Sequence, residues 1–165
     1  PAPCRQYIKD ALEIIMTKEE DDVIDFIENA RKEFKNLRPD EIAFPRSVSE
    51  IKKWESRTDM YNKGCPIHVR GAILYNHYTK KAGLDKKYAA IQSGEKIKFC
   101  YLKTPNTIQE NVFSFIQEFP KELDLEKYID YDAQFNKSFV EPMKIILNAI
   151  GWSVEKKVSL ESFFA

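Results

Sequence analysis

The chain has 165 residues, of which 43% are hydrophobic and 32% are charged, a composition typical of a soluble globular protein. Its apolar runs are too short to cross a membrane, and the N-terminal residues Pro1-Ala2-Pro3-Cys4 lack the charged and apolar regions of a signal peptide. These features exclude the membrane-spanning and secreted classes, so we expect a cytoplasmic protein with no membrane partner. The three cysteines are far apart and odd in number, which favours free thiols.

The formal net charge of zero hides an uneven distribution of charge. Residues 61–108 contain nine Lys and Arg and two acidic residues, a net charge of +7, whereas both flanks are acidic. Concentrated positive charge suits a polyanion such as nucleic acid, because each bound phosphate releases counterions. The alternative is a solvated lysine-rich surface. The middle of the chain is therefore the candidate polyanion-binding segment.

The first half of the chain favours helices. Apolar residues recur at helical spacing after Pro3, and a second apolar stripe runs over 23–37 behind an acidic first turn, which predicts an antiparallel pair of helices. Residues 42–44 read as a short strand. Residues 47–50, Ser-Val-Ser-Glu, read as a capping box that begins a short helix ending near Trp54. Pro66 is expected to begin a longer helix that ends near Lys80.

The second half favours a small sheet followed by a helix. After Gly94 the apolar residues alternate with Lys96, Lys98 and Cys100, which predicts a half-buried strand with a basic face. Residues 112–115 are a second strand candidate, and residues 132–150 predict a long helix that Pro142 kinks. The fold class is therefore α+β, a mostly helical domain with a small two- or three-stranded antiparallel sheet.

Two groups of residues imitate catalytic or metal sites. Cys65, His68, His77 and Cys100 carry zinc-binding side chains, but they do not form the two close pairs of a tetrahedral site. The acidic pairs in 124–126 and 130–132 lie in a polar stretch that leads into a helix, where Asp is a common cap. We therefore interpret the acids as caps or solvated surface, and we expect no complete catalytic centre, no metal and no cofactor in this chain.

The segment Cys65–Asn76 reads Cys-Pro-Ile-His-Val-Arg-Gly-Ala-Ile-Leu-Tyr-Asn. His68 and Arg70 lie near the start of the predicted helix, where free backbone amides favour phosphate. The segment resembles the thumb of family B replicative DNA polymerases of T-even-like tailed bacteriophages, which carries a Cys-Pro-x-His-x-Arg-Gly run followed by Tyr-Asn. Further matches cover essentially the whole chain: Gly94-Glu95-Lys96, Asp130-Tyr131, Lys137-x-Phe139-x-x-Pro142 and Glu155-Lys156-Lys157-x-Ser159-Leu160.

The resemblance implies that residues 1–154 form a polymerase thumb domain that holds primer-template duplex DNA through its backbone. Catalysis would lie in the palm, fingers and exonuclease domains of a parent polymerase, with magnesium in the palm. The localisation would be the cytoplasm of the infected bacterial host. This chain would be either a fragment or one piece of a split polymerase. The residues expected to contact or lie beside the DNA backbone are Lys63, His68, Arg70, Tyr75, Asn76, Lys96, Lys98 and Lys137.

Residues 155–165 are predicted to be a flexible C-terminal tail that binds a sliding clamp. Leu160, Phe163 and Phe164 fit the aliphatic and aromatic anchors of a clamp-binding peptide, with Lys157 where that pattern has Gln. One helical turn sends side chains with this spacing to the same side. The alternative is a segment folded back on its own domain.

Two other functional classes stay open at this stage. One is a free-standing clamp-associated interaction protein that uses the tail without binding DNA. The other is a metal-dependent nuclease that uses the acidic pairs. DNA binding that survives deletion of the tail would separate the thumb from the interaction protein, and magnesium-dependent cleavage would support the nuclease.

Overall fold

The structure is a computed structural model that describes residues 1–156. The chain forms two compact units. The first, which we call the sheet unit, comprises Arg38–Gln134 together with Pro1. The second, the helical unit, comprises Ala2–Leu37 and, within the described residues, 135–156. The predicted division into a domain at 1–154 and a tail at 155–165 stays a prediction.

The helical unit contains two long N-terminal helices and the C-terminal helical segment. Helix α1 spans Ala2–Thr17 and α2 spans Glu20–Phe34, and the two pack against each other as predicted. Edge-to-face aromatic pairs form the core: the Tyr7 ring lies 6.4 Å from Phe26 and 5.8 Å from Phe139. Such pairs stabilise a core beyond the apolar area that they bury.

The long C-terminal helix changes its hydrogen-bonding pattern before Pro142. Helix α6 spans Tyr131–Phe135, a π-helical turn spans Asn136–Val140, and α7 spans Glu141–Ala149. Proline has no N–H to donate to the preceding turn, so the irregularity just before it has a local cause. Gly151 follows α7 with a φ of +78°, which confirms it as the stop signal.

The sheet unit contains a three-stranded antiparallel sheet in the order β1-β4-β5 and a separate two-stranded hairpin. The sheet strands are β1 at Phe44–Ser47, β4 at Lys96–Tyr101 and β5 at Val112–Phe115. The hairpin pairs β2 at Glu55–Ser56 with β3 at Met60–Tyr61. These elements confirm the α+β prediction.

Helices and short helical turns complete the sheet unit. Helix α5 spans Ile67–Lys81, close to the predicted bounds, and packs against β5. Helices α3 and α4 are one turn each, at Pro39–Ile42 and Ile51–Trp54. Two 3₁₀ turns lie at Lys121–Leu123 and Glu126–Tyr128. No helix in residues 1–156 is long and apolar enough to span a membrane.

Two local predictions in this unit are wrong. Ser47 belongs to β1 and does not cap α4, because antiparallel pairing with Lys96 holds its backbone extended. The N–H of Ile51 instead donates to Ser93 Oγ across 3.1 Å. The predicted basic face of β4 is confirmed at Lys96, which is exposed, and at Lys98, which is half-buried, but it is wrong at Cys100, which is fully buried.

Candidate nucleic-acid interface

The start of α5 meets the edge of the sheet at the ring of Phe99. His68, the second residue of α5, has its ring centroid 6.5 Å from that of Phe99, and the Arg46 guanidinium lies 5.9 Å from the same ring. Arg46 comes from the edge strand β1, where it pairs with Ile97. Phe99 is therefore the apolar platform beside which two potential cations lie.

Lys96 lies on the face of β4 opposite to Phe99, because successive residues of a strand alternate between the two faces. It is exposed at the start of β4 and pairs with Ser47 at the end of β1. An open groove is lined there by Pro45, Arg46, Ser47 and Lys96. We call Arg46, His68 and Lys96 the basic edge: Arg46, which the sequence did not reveal, lines the groove with Lys96 and shares the Phe99 ring with His68.

The position of His68 is held by hydrogen bonds on both sides. Its ring bonds to the backbone of Ser47, and its carbonyl accepts a 2.9 Å hydrogen bond from Ser114 Oγ. Partial burial, with the nearby charge of Arg46, lowers the pKa of His68 below its ordinary value. The lowered pKa favours the neutral imidazole at neutral pH.

Lys63 and Lys98 occupy different settings. Lys63 is exposed in the loop before α5 and can reach a ligand from there. Lys98 is half-buried, and its Nζ donates to the carbonyl of Asp40 across 3.0 Å. Residues two apart on a strand share a face, so Lys98 lies on the same face as Lys96 but is tied to α3.

Arg70 lies one turn into α5 in a polar cluster of its own. Its Nη2 donates to Asn111 Oδ1 across 2.9 Å, and its Nη1 lies 3.8 Å from Glu110 Oε2. The hydroxyl of Tyr61 donates to the other Glu110 oxygen across 2.7 Å, and the Arg70 guanidinium lies 5.6 Å from the Tyr61 ring. We call these four residues the Arg70 cluster. It joins the hairpin, α5 and the loop before β5.

Tyr75 and Asn76 must be removed from the predicted DNA contacts. Tyr75 is 2% exposed with its ring 6.0 Å from Phe113, and burial raises its pKa to about 12. Asn76 donates to the carbonyl of Ile91 and accepts from its N–H, across 2.9 and 2.7 Å. The first is a core residue and the second fastens the segment after α5 to that helix, so neither presents a free group to a duplex.

The remaining predicted site residues lie elsewhere. Lys137 is exposed on the π-helical turn of the helical unit. Leu160, Phe163 and Phe164 lie outside the described residues. Within the +7 segment, Lys87 is paired with Glu122, which also accepts a 2.7 Å hydrogen bond from the Tyr88 hydroxyl. Part of the positive charge of the segment is therefore already neutralised.

The acidic pairs and the cysteines have structural settings. Asp130 Oδ1 accepts a 3.0 Å hydrogen bond from the N–H of Ala133, which confirms its interpretation as a helix cap. Cys4, Cys65 and Cys100 are free, and burial raises the pKa of each thiol. Among residues 1–156, no three His, Cys, Asp or Glu side chains are grouped to hold a metal ion.

Comparison with known proteins gives two similar sequences. The chain is 27% identical over 168 aligned residues to the DNA-directed DNA polymerase of enterobacteria phage T4, an alignment that covers 99% of this chain and 18% of the relative. It is 27% identical over 136 residues to the DNA-directed DNA polymerase of Escherichia phage RB69, covering 79% of this chain and 14% of that relative. No model of a known protein family matches the chain.

These alignments make the chain similar to one segment of a phage DNA polymerase. It spans less than a fifth of the length of either relative. The alignments confirm the predicted resemblance to phage DNA polymerases. They do not identify which polymerase domain the chain corresponds to, so the thumb stays a prediction.

Proposed function

We propose that this chain is the thumb domain of a phage family B DNA polymerase, which holds primer-template duplex DNA behind the active site of its parent enzyme. The observation that carries the proposal is the alignment of 99% of the chain with a segment of a DNA-directed DNA polymerase. The basic edge supports it, because Arg46 and Lys96 line one exposed groove and His68 lies beside the same Phe99 ring as Arg46.

The proposed contacts go to the DNA backbone. Arg46 and Lys96 supply permanent charge at the groove, His68 supplies a proton-dependent charge beside them, and Lys63 extends the surface into the preceding loop. Phosphate contacts position a protein on DNA without reading its sequence. A replicative polymerase must move over every sequence, so backbone contacts are the kind that its duplex-holding domain requires.

Lys98, Lys137 and Arg70 are secondary contacts in this proposal. Lys98 would exchange its bond to the Asp40 carbonyl for a phosphate, and Lys137 would act from the helical unit. Arg70 starts from a cluster that contains the carboxylate of Glu110.

The C-terminal tail is proposed to tether the parent polymerase to its sliding clamp through Leu160, Phe163 and Phe164. A peptide with three apolar anchors binds weakly by itself, but tethering raises its effective concentration at the clamp. Catalysis and its magnesium belong, in this proposal, to the palm of the parent. Purified chain with magnesium, primer-template and nucleotides should therefore neither extend nor degrade DNA.

The test is the salt dependence of duplex binding by the chain itself. A fluorescently labelled duplex is titrated with protein between about 50 and 200 mM salt, and log K is plotted against log salt concentration. Each neutralised phosphate contributes about −0.9 to the slope, so three or four contacts give a slope of about −3. Duplexes of unrelated sequence should give the same line. A flat response would contradict the proposal.

A truncated chain that ends at Lys156 separates the thumb from a clamp-associated interaction protein. The basic edge and the Arg70 cluster are both retained in this truncation. Duplex binding should therefore be unchanged, whereas binding to the cognate clamp should be lost. Loss of duplex binding would place the nucleic-acid contacts in the tail and refute the assignment to the sheet unit.

A further inference from the structure

The guanidinium of Arg70 is incompletely satisfied where it lies. It makes one good hydrogen bond, to Asn111, while its approach to Glu110 at 3.8 Å is too long for a hydrogen bond. Within the part of the chain that the structure describes, its buried Nε has no hydrogen-bond partner. An arginine with five donors is therefore held by one hydrogen bond and one long ion pair.

The carboxylate of Glu110 is better satisfied than the guanidinium. One of its oxygens accepts the 2.7 Å hydrogen bond from the Tyr61 hydroxyl, and that bond does not involve Arg70. The side chains of Arg70 and Glu110 are 22% and 20% exposed, so solvent and solutes reach both. Glu110 can consequently keep a partner if Arg70 leaves.

The pair has no net charge at rest. A phosphate that approaches Arg70 meets the charge of Glu110 as well, so the arginine contributes little to the attraction of a polyanion in this arrangement. A phosphate offers an arginine two parallel acceptors at hydrogen-bond distance, which is the geometry that guanidinium binds best. The two anions therefore compete for one cation.

We propose that Glu110 is an internal competitor of the DNA backbone for Arg70, and that duplex binding exchanges the long Arg70–Glu110 pair for a phosphate contact. The inference rests on the proposed function, because it requires that the sheet unit binds DNA. It makes Glu110 a positioning residue that sets the affinity through Arg70 without touching DNA. Tyr61 holds the carboxylate after the exchange.

The test is the variant Glu110→Gln, which keeps the size of the side chain and an acceptor for the Tyr61 hydroxyl but removes the competing charge. Its duplex affinity should be about two- to fivefold higher than that of the wild type, the range that corresponds to a partly exposed ion pair. The slope of log K against log salt concentration should change little, because Arg70 neutralises one phosphate in both complexes and the variant removes only the competing carboxylate.

Two controls identify Arg70 as the route. Glu118→Gln removes one negative charge from an exposed position of the same unit, so it measures the general effect of lowering the negative charge. In an Arg70→Ala background, Glu110→Gln should lose its additional effect and match Glu118→Gln, because coupled residues are non-additive. An equal gain with and without Arg70 would show that Glu110 repels DNA directly, which overturns the proposal.

Tyr61→Phe supplies a second variant in case Glu110→Gln fails to fold. This variant keeps the ring beside Arg70 but removes the hydroxyl that donates to Glu110. Glu110 would then have no donor left after the exchange, so the exchange is less favourable and the duplex affinity should fall. An unchanged affinity in Tyr61→Phe, or a Glu110→Gln variant equal to Glu118→Gln, overturns this inference and leaves the proposed function standing. A wild-type chain without salt-dependent binding overturns both.

Discussion

Gly71 of α5 lies so close to Ser114 of β5 that a Cβ at position 71 would be 2.2 Å from Ser114 Oγ and 2.9 Å from the Ser114 backbone nitrogen. Only glycine permits this approach of helix to strand. The same serine hydroxyl donates to the carbonyl of His68. The close contact therefore sets the height of the first turn of α5 above the sheet and, with it, the place of His68 beside Arg46.

Gly71→Ala should destabilise the protein, although alanine normally stabilises a helix interior by about 0.8–1 kcal/mol relative to glycine. The added methyl group cannot be accommodated unless α5 or β5 shifts, and overpacking of this kind costs about 1–3 kcal/mol. Urea unfolding at neutral pH measures the change. Ser114→Ala is the companion variant: it removes the bond to His68 and keeps the glycine. A Gly71→Ala midpoint at or above that of the wild type would contradict the close approach.

Arg46→Ala and Lys96→Ala should each weaken duplex binding and lower the magnitude of the salt slope by about 0.9. Both side chains line the groove at the end of β1, and neither is buried. Lys103→Ala is the matched control, because Lys103 is exposed in the same +7 segment but lies beyond the other end of β4. Equal losses from all three variants would mean that the segment acts as diffuse charge and that the groove is not a binding site.

The duplex affinity should rise as pH falls below about 6.5, and His68 should account for the rise. Partial burial, followed by the charge of Arg46, lowers the pKa of His68 in the free protein, so the ring is neutral at pH 7. A bound phosphate favours the protonated ring and raises that pKa, so binding takes up a proton and strengthens with acid. His68→Gln should flatten the profile. His77→Gln, which replaces the other histidine of the chain, should leave it unchanged.

The elements with local signals were predicted well from the sequence. Pro66 and the apolar spacing after it placed α5 within a residue of its observed ends, and Gly151 ended the last helix where the structure ends it. Prolines, glycines and helical periodicity act within a few residues, so their effects are visible in any short window. The exposure of Lys96 followed from the same kind of local information, whereas the partial burial of His68 did not.

Pairings between distant segments were not predictable in this way. Arg46 lies in the acidic N-terminal flank and reaches the site because β1 pairs with β4, about fifty residues later. Cys100 is fully buried, although alternation alone assigns it to a basic face with Lys96 and Lys98. Glu110 meets Arg70 across a loop that no periodicity marks. Tertiary context decided all three, so the groove and the Arg70 cluster emerged from the structure.

The stability of the sheet unit should fall between about pH 5 and pH 2, in part through Glu122. Hydrogen bonds from Lys87 and then Tyr88 lower the pKa of Glu122 from its ordinary 4.5 to about 2. A carboxyl whose pKa is lower in the folded state than in the unfolded state stabilises the protein fully at pH values above the unfolded-state pKa. This stability is lost as pH falls through the folded-state pKa. The urea midpoint of Glu122→Gln should thus depend less on pH in this window, whereas Glu118→Gln should follow the wild type. A parallel profile for both variants would contradict the role of Glu122.

Phe163→Ala combined with Phe164→Ala should abolish clamp-stimulated long synthesis by the parent polymerase and leave single-nucleotide addition nearly intact. Three anchors on a short peptide predict a micromolar affinity, and the clamp acts by keeping the enzyme on DNA rather than by changing its chemistry. Ser162→Ala is the matched control, since Ser162 lies between the anchors without belonging to them. The lengths of the DNA products with and without clamp measure the stimulation. The urea midpoint of each variant shows whether the domain is still folded. A lowered midpoint with loss of basal synthesis would show that the two rings belong to the core of their own domain.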